Sequence, residues 1–164
     1  MSDLGLLKQF LGLEIEKNYD GIMVTQSKYI SKLLNKFNMA ECRPAPFPFL
    51  SGISLEEGKS TPPMDCTIYR QLIGSLLYLT HSRPDICYAM NAISRYMQQP
   101  HDLHLKESKR ILQYIQGTKT YDIHYARDSV LELVGYTNSD WAGDSIDWKS
   151  TSRYVFMFGG GPIF

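Results

Sequence analysis

The stretch TIYRQLIGSLLYLTH, residues 67–81, decides the central part of the fold. Its apolar side chains recur at roughly three- and four-residue intervals, which is the spacing of one face of an α-helix. These apolar residues are Ile68, Leu72, Ile73, Leu76, Leu77 and Leu79. The pattern predicts an amphipathic helix over residues 67–81.

Three further segments show helical spacing, at residues 27–38, 85–98 and 102–116. Their end signals are Ser27 as the N-cap of the first helix, Pro84 in the first turn of the second and Gly117 as the C-cap of the third. The four segments together predict a small helical bundle.

Residues 40–66 lie between the predicted helices at 27–38 and 67–81 and are rich in proline. The prolines are Pro44, Pro46, Pro48, Pro62 and Pro63. Proline fixes φ and removes a backbone donor, so regular structure is disfavoured here. We expect a long loop that is mobile unless the rest of the domain clamps it.

Strand patterns flank the bundle on both sides. Residues 6–24 predict a β-hairpin, in which Gly12 lies inside a strand as a bulge or a close backbone approach. After residue 121 the period changes: Ile123 and Tyr125 alternate with polar neighbours, and residues 131–136 and 154–158 are two further strand candidates.

The expected fold class is therefore α+β, in three segments. An N-terminal β-hairpin occupies residues 1–25, a helical region with its Pro-rich loop occupies 26–119, and an antiparallel β-meander occupies 120–164. A three-stranded meander is marginally stable alone, and its strand edges are expected to be exposed.

Composition excludes several classes of protein. The 164 residues contain 17 Lys plus Arg and 17 Asp plus Glu, and 43% are apolar, which excludes a disordered chain and a strongly basic tail. Residues 1–119 hold 14 basic and 11 acidic residues, a balance of +3, and residues 120–164 hold 3 and 6, a balance of −3. The change of sign indicates two parts with different histories or partners.

Neither a metal site nor a membrane span is expected. The spacing of Cys42, Cys66 and Cys87 matches no zinc motif, so we interpret them as reduced, partly buried thiols. The histidines are expected at the surface or at helix ends: His81, His101, His104 and His124. No apolar run reaches the ~18 residues of a membrane span, and we expect a location in the cytosol, with the nucleus as a second site.

Two basic surfaces are candidate contacts for phosphate. Lys28, Lys32 and Lys36 recur at i, i+4 and i+8, so they form one exposed stripe on their helix. The stripe is interpreted either as a solvated face or as a face that follows a phosphate backbone. The helix at 102–116 presents a second basic cluster, made by Lys106, Lys109 and Arg110.

Several long motifs give the chain a family resemblance along nearly its whole length. In sequence order it resembles a copia-type retrotransposon polyprotein, just downstream of the polymerase active site. The matching runs are Asp3-Leu4-Gly5, Phe10–Ile15, Gly21-Ile22, Gln26–Tyr29, Tyr69–Leu79, Arg83–Ile86, Lys109–Thr118, Gly135–Asp144 and Lys149–Ser152.

The resemblance implies parts of a reverse transcriptase followed by a ribonuclease H. The hairpin is then similar to the primer grip, carried by Phe10, Leu11, Gly12 and Leu13. The helices at 27–38 and 67–116 resemble the thumb, which packs against a template–primer duplex, and the meander resembles the start of the ribonuclease H fold. Under this interpretation the lysine stripe faces phosphate.

The same resemblance predicts that the chain is not an enzyme. The family's polymerase uses an adjacent Asp-Asp pair to hold magnesium, and this sequence contains no such pair. The first ribonuclease H aspartate of the family falls at Asn138, whose amide lacks the charge that attracts magnesium. No catalytic residue, metal ligand or cofactor is expected here, and Mg²⁺ is expected for the intact family only.

Four functions are compatible with this sequence. The first is an inactive relic of the polyprotein, and the second is a module that binds RNA–DNA or DNA duplexes without sequence preference. The third is a domesticated interaction protein that binds a host protein or itself through exposed apolar patches and strand edges. The fourth is an enzyme subunit to which another chain supplies the carboxylates. The relic is favoured as molecular class, with binding rather than catalysis as its activity.

Overall fold

The computed structural model describes the backbone of residues 5–50, 52–140 and 151–163, and their side chains except those of 138–140 and 151–153. The chain forms two compact units. The first contains the residues up to Glu14 and Thr25–Asp122, and the second contains Ile15–Val24 and the residues from Ile123 onward. The predicted division at residues 25 and 119 stays a prediction.

The first unit is the predicted helical bundle. Its α-helices are α1 (Ser27–Lys36), α2 (Cys66–Leu79), α3 (Cys87–Ser94) and α4 (Asp102–Gly117). Their apolar faces form one core, made by Ile30, Leu33, Leu34, Leu55, Tyr69, Leu72, Ile73, Leu76, Leu79, Ile86, Ala89, Met90, Ile93, Ile111, Leu112 and Ile115. Two predicted apolar positions of α2, Ile68 and Leu77, are exposed instead.

The helix ends differ from the sequence prediction in detail. Ser27 is the first residue of α1 and Gln26 is its N-cap. The Gln26 side chain accepts from Ser82 at 2.7 Å instead of capping the helix. Gly117 is the last residue of α4, and Thr118 is the C-cap. The segment predicted as one helix over 85–98 divides into a 3₁₀-helix at Pro84–Ile86 and the shorter α3.

The Pro-rich segment is structured in part, which corrects the prediction of a plain loop. A 3₁₀-helix spans Leu55–Ser60, in a stretch that contains no proline. Backbone hydrogen bonds tie the segment to α4 and its approach, from Ala45 to Gln113 at 3.3 Å and from Met64 to Pro100 at 3.1 Å. The segment is therefore clamped by the helical unit.

The N-terminal strands are β1 (Gln9–Phe10), β2 (Leu13–Lys17) and β3 (Gly21–Thr25). The sequence predicted Gly12 inside a strand. Gly12 lies instead in a two-residue turn, together with Leu11, between β1 and β2. Both residues have positive φ, 46° and 81°, which is the signature of a type I′ hairpin turn. In the second unit β3 pairs antiparallel with β4 (Ile123–Ala126).

The second unit also contains the sheet β5-β6-β7, formed by β5 (Leu133–Asp140), β6 (Thr151–Phe158) and β7 (Gly161–Ile163). Both pairings in it are antiparallel. β5 and β6 were predicted as shorter strands, and β7 was not predicted. The predicted fold class, which mixes α-helices with antiparallel β-sheets, is confirmed. No helix among the described residues is long and apolar enough to cross a membrane.

Candidate functional site

The lysine stripe of α1 is exposed, as its spacing predicts, but one of its charges is compensated. The Lys28 ammonium lies 3.1 Å from a Glu14 carboxylate oxygen, and the Lys28 backbone amide donates to the same carboxylate at 2.9 Å. The hydrogen bond from the Lys28 backbone amide and the nearby Lys28 ammonium together hold the pKa of Glu14 below its usual value. Lys36 lies 5.3 Å from the Phe37 ring centroid, and Lys32 is exposed. The stripe therefore carries less net charge than its sequence indicates.

The predicted cluster of α4 lines an open groove of about 640 Å³. The groove is lined by Met39, Cys42, Asp102, Leu105, Lys106, Lys109, Arg110 and Gln113. Lys106 and Lys109 are exposed. Arg110 is partly buried and lies 3.6 Å from Glu107, a carboxylate that is only 2% exposed. None of the α1 lysines lines this groove, so the structure does not merge the two predicted surfaces into it.

The turn that resembles a primer grip is held against helix α2. The Tyr78 hydroxyl donates to the Leu11 carbonyl, and a Cβ added at Gly12 would collide with the same hydroxyl. Tyr78 in turn packs edge-on against Tyr29, with 4.8 Å between ring centroids. Phe10 and Leu11 remain exposed at the tip, while Leu13 is half-buried. Tyr78 gave no signal of this role in the sequence.

The position that resembles the first ribonuclease H aspartate lies in β5. The backbone of Asn138 pairs with Arg153 of β6. The nearby Asp144 and Asp147, and also Trp141 and Trp148, lie outside the described residues. Within the described part of the chain, no three His, Cys, Asp or Glu side chains are grouped to hold a metal ion.

The three cysteines are free and half-buried, as predicted. Burial raises the pKa of the Cys42 thiol in the groove and of the Cys87 thiol at the start of α3. A raised pKa keeps a thiol protonated and poorly nucleophilic. Thiol chemistry at these two positions is therefore disfavoured.

One face of the β5-β6-β7 sheet is apolar and exposed. Cross-strand partners share a face of an antiparallel sheet, and the register pairs Leu133 with Phe158, and Phe156 with both Gly135 and Ile163. We define the apolar face as Leu133, Tyr154, Phe156, Phe158 and Ile163, all of them exposed. Residues 154–158 are all apolar, so the sequence alone does not indicate which side of β6 is exposed.

Comparison with known proteins gives matches along almost the whole chain. The family described as Reverse transcriptase (RNA-dependent DNA polymerase) matches residues 1–51. The Retrovirus-related Pol polyprotein from transposon RE1 of Arabidopsis thaliana is 39% identical over 157 residues, which are 96% of this chain and 11% of that polyprotein. An uncharacterized mitochondrial protein of the same plant is 34% identical over 161 residues, 97% of this chain and 66% of the relative.

A third relative is Secreted RxLR effector protein 161 of Plasmopara viticola. It is 38% identical over 96 residues, which are 58% of this chain and 68% of the effector. No solved structure matches this chain. The matches to the polyprotein cover the same motifs that carry the sequence resemblance, from the hairpin to the last strands. The chain belongs to the copia-type family of retrotransposon polyproteins.

Proposed function

We propose that these 164 residues are a non-catalytic part of a copia-type reverse transcriptase and ribonuclease H. In this proposal residues 26–119 correspond to the thumb and residues 120–164 to the start of the ribonuclease H fold. The order of hairpin, helical bundle and antiparallel sheet supports the correspondence. Asn138 and the lack of an adjacent aspartate pair in these residues support the loss of catalysis.

Binding to protein is the activity that the geometry supports best. The observation that supports it is the apolar face of the sheet β5-β6-β7. Single exposed apolar residues are normal on a protein surface, but a contiguous patch marks an interaction site. Tyr154 is 71% exposed and Phe156 is 43% exposed, and their rings are 5.8 Å apart. Aromatic side chains of this kind provide most of the energy at protein interfaces.

The outer strand of this sheet supports a second copy of the chain as the partner. β5 reads LVGYTNSD and contains no Lys, Arg or Pro, the residues that protect strand edges from pairing. β6 is the strand that pairs with it within the described residues. An antiparallel partner strand is therefore accommodated on its outer edge, with the apolar face continuing across the new pair.

The relatives support a role outside the polyprotein. One relative is named a secreted effector and another a mitochondrial protein, and the chain covers 68% and 66% of their lengths. A domesticated fragment of this kind acts through its surfaces, on itself or on a host protein.

Sedimentation velocity across a concentration series tests this function. We expect concentration-dependent association of the wild-type chain that weakens about tenfold or more in Phe156→Thr, since a buried aromatic side chain stabilises by about 2 kcal/mol. Threonine preserves strand propensity. Phe47→Thr removes a ring that is 62% exposed in the Pro-rich segment, and it is expected to leave association unchanged. A monomer at every concentration, together with a pull-down that recovers no stoichiometric partner, contradicts the proposal.

The α4 groove supports a second candidate function, binding of an RNA–DNA or DNA duplex. Lys106, Lys109 and Arg110 place three cations along one open groove, and phosphate contacts of this kind give affinity without sequence preference. Two carboxylates, Asp102 in the lining and the neighbouring Glu107, reduce the positive potential of the groove.

Fluorescence anisotropy on a labelled RNA–DNA hybrid tests this candidate. Three released counterions predict a slope of roughly −2.7 for log K against log salt. Lys106→Glu and Lys109→Glu are expected to weaken binding, and Lys28→Glu is expected to change it less because Glu14 already compensates Lys28. Binding that does not respond to salt, or no binding by the folded chain, excludes this function.

A further inference from the structure

His104 is fully buried on α4. Two hydrogen bonds hold its ring, which is the donor in one and the acceptor in the other. Nε2 lies 3.0 Å from the Leu55 carbonyl oxygen, and Nδ1 lies 2.9 Å from the backbone amide of His101. A carbonyl only accepts and an amide only donates. The ring is therefore neutral, with its proton on Nε2, and both nitrogens are satisfied.

The ring is closely packed by two neighbours. Tyr96 stacks on it, with 4.0 Å between centroids and 19° between planes. The 3₁₀-helix lies at the Nε2 edge, where a Cβ added at Gly58 would come within 2.7 Å of Nε2. This close approach requires glycine at position 58, and it leaves His104 no room to turn to another set of partners.

His104 is the buried centre of a wider attachment between residues 53–64 and the start of α4. His101 Nδ1 lies 2.6 Å from the Thr61 carbonyl, and the Asp102 amide donates to the Pro62 carbonyl at 3.0 Å. Leu55 is buried in the core, and Ile53 and Met64 pack against it. Release of this segment would expose apolar side chains of the bundle.

A second proton on His104 is incompatible with this arrangement. Protonated Nδ1 would point its N–H at the His101 N–H, which replaces a hydrogen bond by a contact between two donors. The groups that face the ring are Glu56 and Lys59 from the 3₁₀-helix and His101 from the N-cap. Burial lowers the pKa of His104 most, His101 and Lys59 lower it further, and Glu56 and the Leu55 carbonyl oppose them.

We infer that His104 is an acid-sensitive latch, which holds residues 53–64 on α4 at neutral pH and releases them as the pH falls. The folded state binds the second proton more weakly than the unfolded state, whose histidine titrates near ~6.5. Stability of the latch is therefore complete above about pH 6.5 and is lost as the pH falls from there toward the folded value. His101 is not the latch, because the Nδ1–H that bonds Thr61 is kept when its ring is protonated.

Hydrogen exchange of the full chain at about pH 7.5 and about pH 5.5 tests the latch, with protection factors corrected for intrinsic rates. We expect protection at 53–64, including the Met64 amide, to fall roughly five- to tenfold at the lower pH, while α2 is unchanged. His104→Gln, whose amide offers a donor and an acceptor that do not titrate, is expected to remove the pH dependence. His124→Gln, at an exposed position in β4, is the matched control and is expected to keep it.

Gly58→Ala provides a second test of the latch, since the added Cβ displaces the His104 ring without changing a titratable group. We expect low protection at 53–64 at both pH values in this variant. Equal protection of the wild-type segment at both pH values overturns the inference. A pH dependence that survives His104→Gln but disappears in His101→Asn overturns it as well, because it assigns the effect to His101.

Discussion

The buried guanidinium of Arg83 holds the carboxylate of Asp85 through two parallel hydrogen bonds, from Nε to Oδ1 at 3.0 Å and from Nη2 to Oδ2 at 2.6 Å. Arg83 also donates to the carbonyl and the hydroxyl of Thr118, just after α4. Burial alone would raise the pKa of Asp85, but the hydrogen bonds and charge of Arg83 outweigh burial and lower it. The Arg-Pro-Asp-Ile run of the family resemblance thus has a structural role here.

Removal of this arginine is expected to be strongly destabilising. Arg83 is 2% exposed, and Arg83→Met removes two of the hydrogen bonds to the Asp85 carboxylate, which keeps the one from the Tyr114 hydroxyl, and also removes the bond to the Thr118 carbonyl. We expect a loss of roughly 3 kcal/mol in the free energy of unfolding, measured by urea denaturation. Arg43→Met, at an exposed position of the Pro-rich segment, is the control and is expected to cost less than about 1 kcal/mol. Equal costs for the two variants would contradict the structural role of Arg83.

Gly12→Ala tests the contact between the hairpin turn and Tyr78. Gly12 has φ of 81° and Gly52 has φ of 86°, but a Cβ at Gly12 meets the Tyr78 hydroxyl whereas a Cβ at Gly52 meets nothing within 4 Å. Both alanine variants are expected to lose about 1–2 kcal/mol from backbone strain. Gly12→Ala is expected to lose more, and this excess should shrink in a Tyr78→Phe background, as measured by a double-mutant cycle. Identical costs at the two glycines would show that the turn is not docked on α2.

Alkaline pH is expected to destabilise the core through Tyr69. Its hydroxyl is buried and donates to the Ile93 carbonyl at 2.7 Å, and burial raises its pKa to about 12. An unfolded tyrosine titrates near ~10, so its contribution to stability is complete below about pH 10 and is lost as the pH rises toward 12. Tyr69→Phe should therefore flatten the fall in unfolding free energy over this range, although it costs about 1 kcal/mol at neutral pH. A fall as steep as that of the wild type would refute the assignment.

Local patterns predicted the helices and most of the strands, because each depends on neighbours within a few residues. The contacts that decide the candidate sites are long-range. Glu14 compensates Lys28, and Tyr78 docks the turn at Leu11, although no spacing rule connects these residues. His104 lies in the first turn of α4, which agrees with the expected helix-end position, but it is buried and not at the surface. Its partner, the Leu55 carbonyl, lies in a segment that the sequence predicted only as a loop.

Exposed apolar patches were expected in general terms, but the residues of this face could not be predicted. The apolar run at 154–158 indicates a strand, and it does not show which side is covered by another layer. In the described residues Tyr154 and Phe156 stay exposed on this sheet. Asn138 was found only through the family resemblance, since an asparagine in a strand carries no signal of its own.

We propose that this chain acts by binding through the sheet β5-β6-β7. Hydrogen exchange of the wild-type chain at low and high protein concentration measures it most directly, at the backbone amides of β5. We predict that amides within Leu133–Asp140 gain protection as concentration rises, while those of α2 do not change. Association that leaves the β5 amides unprotected, or protection that is independent of concentration, would contradict the claim.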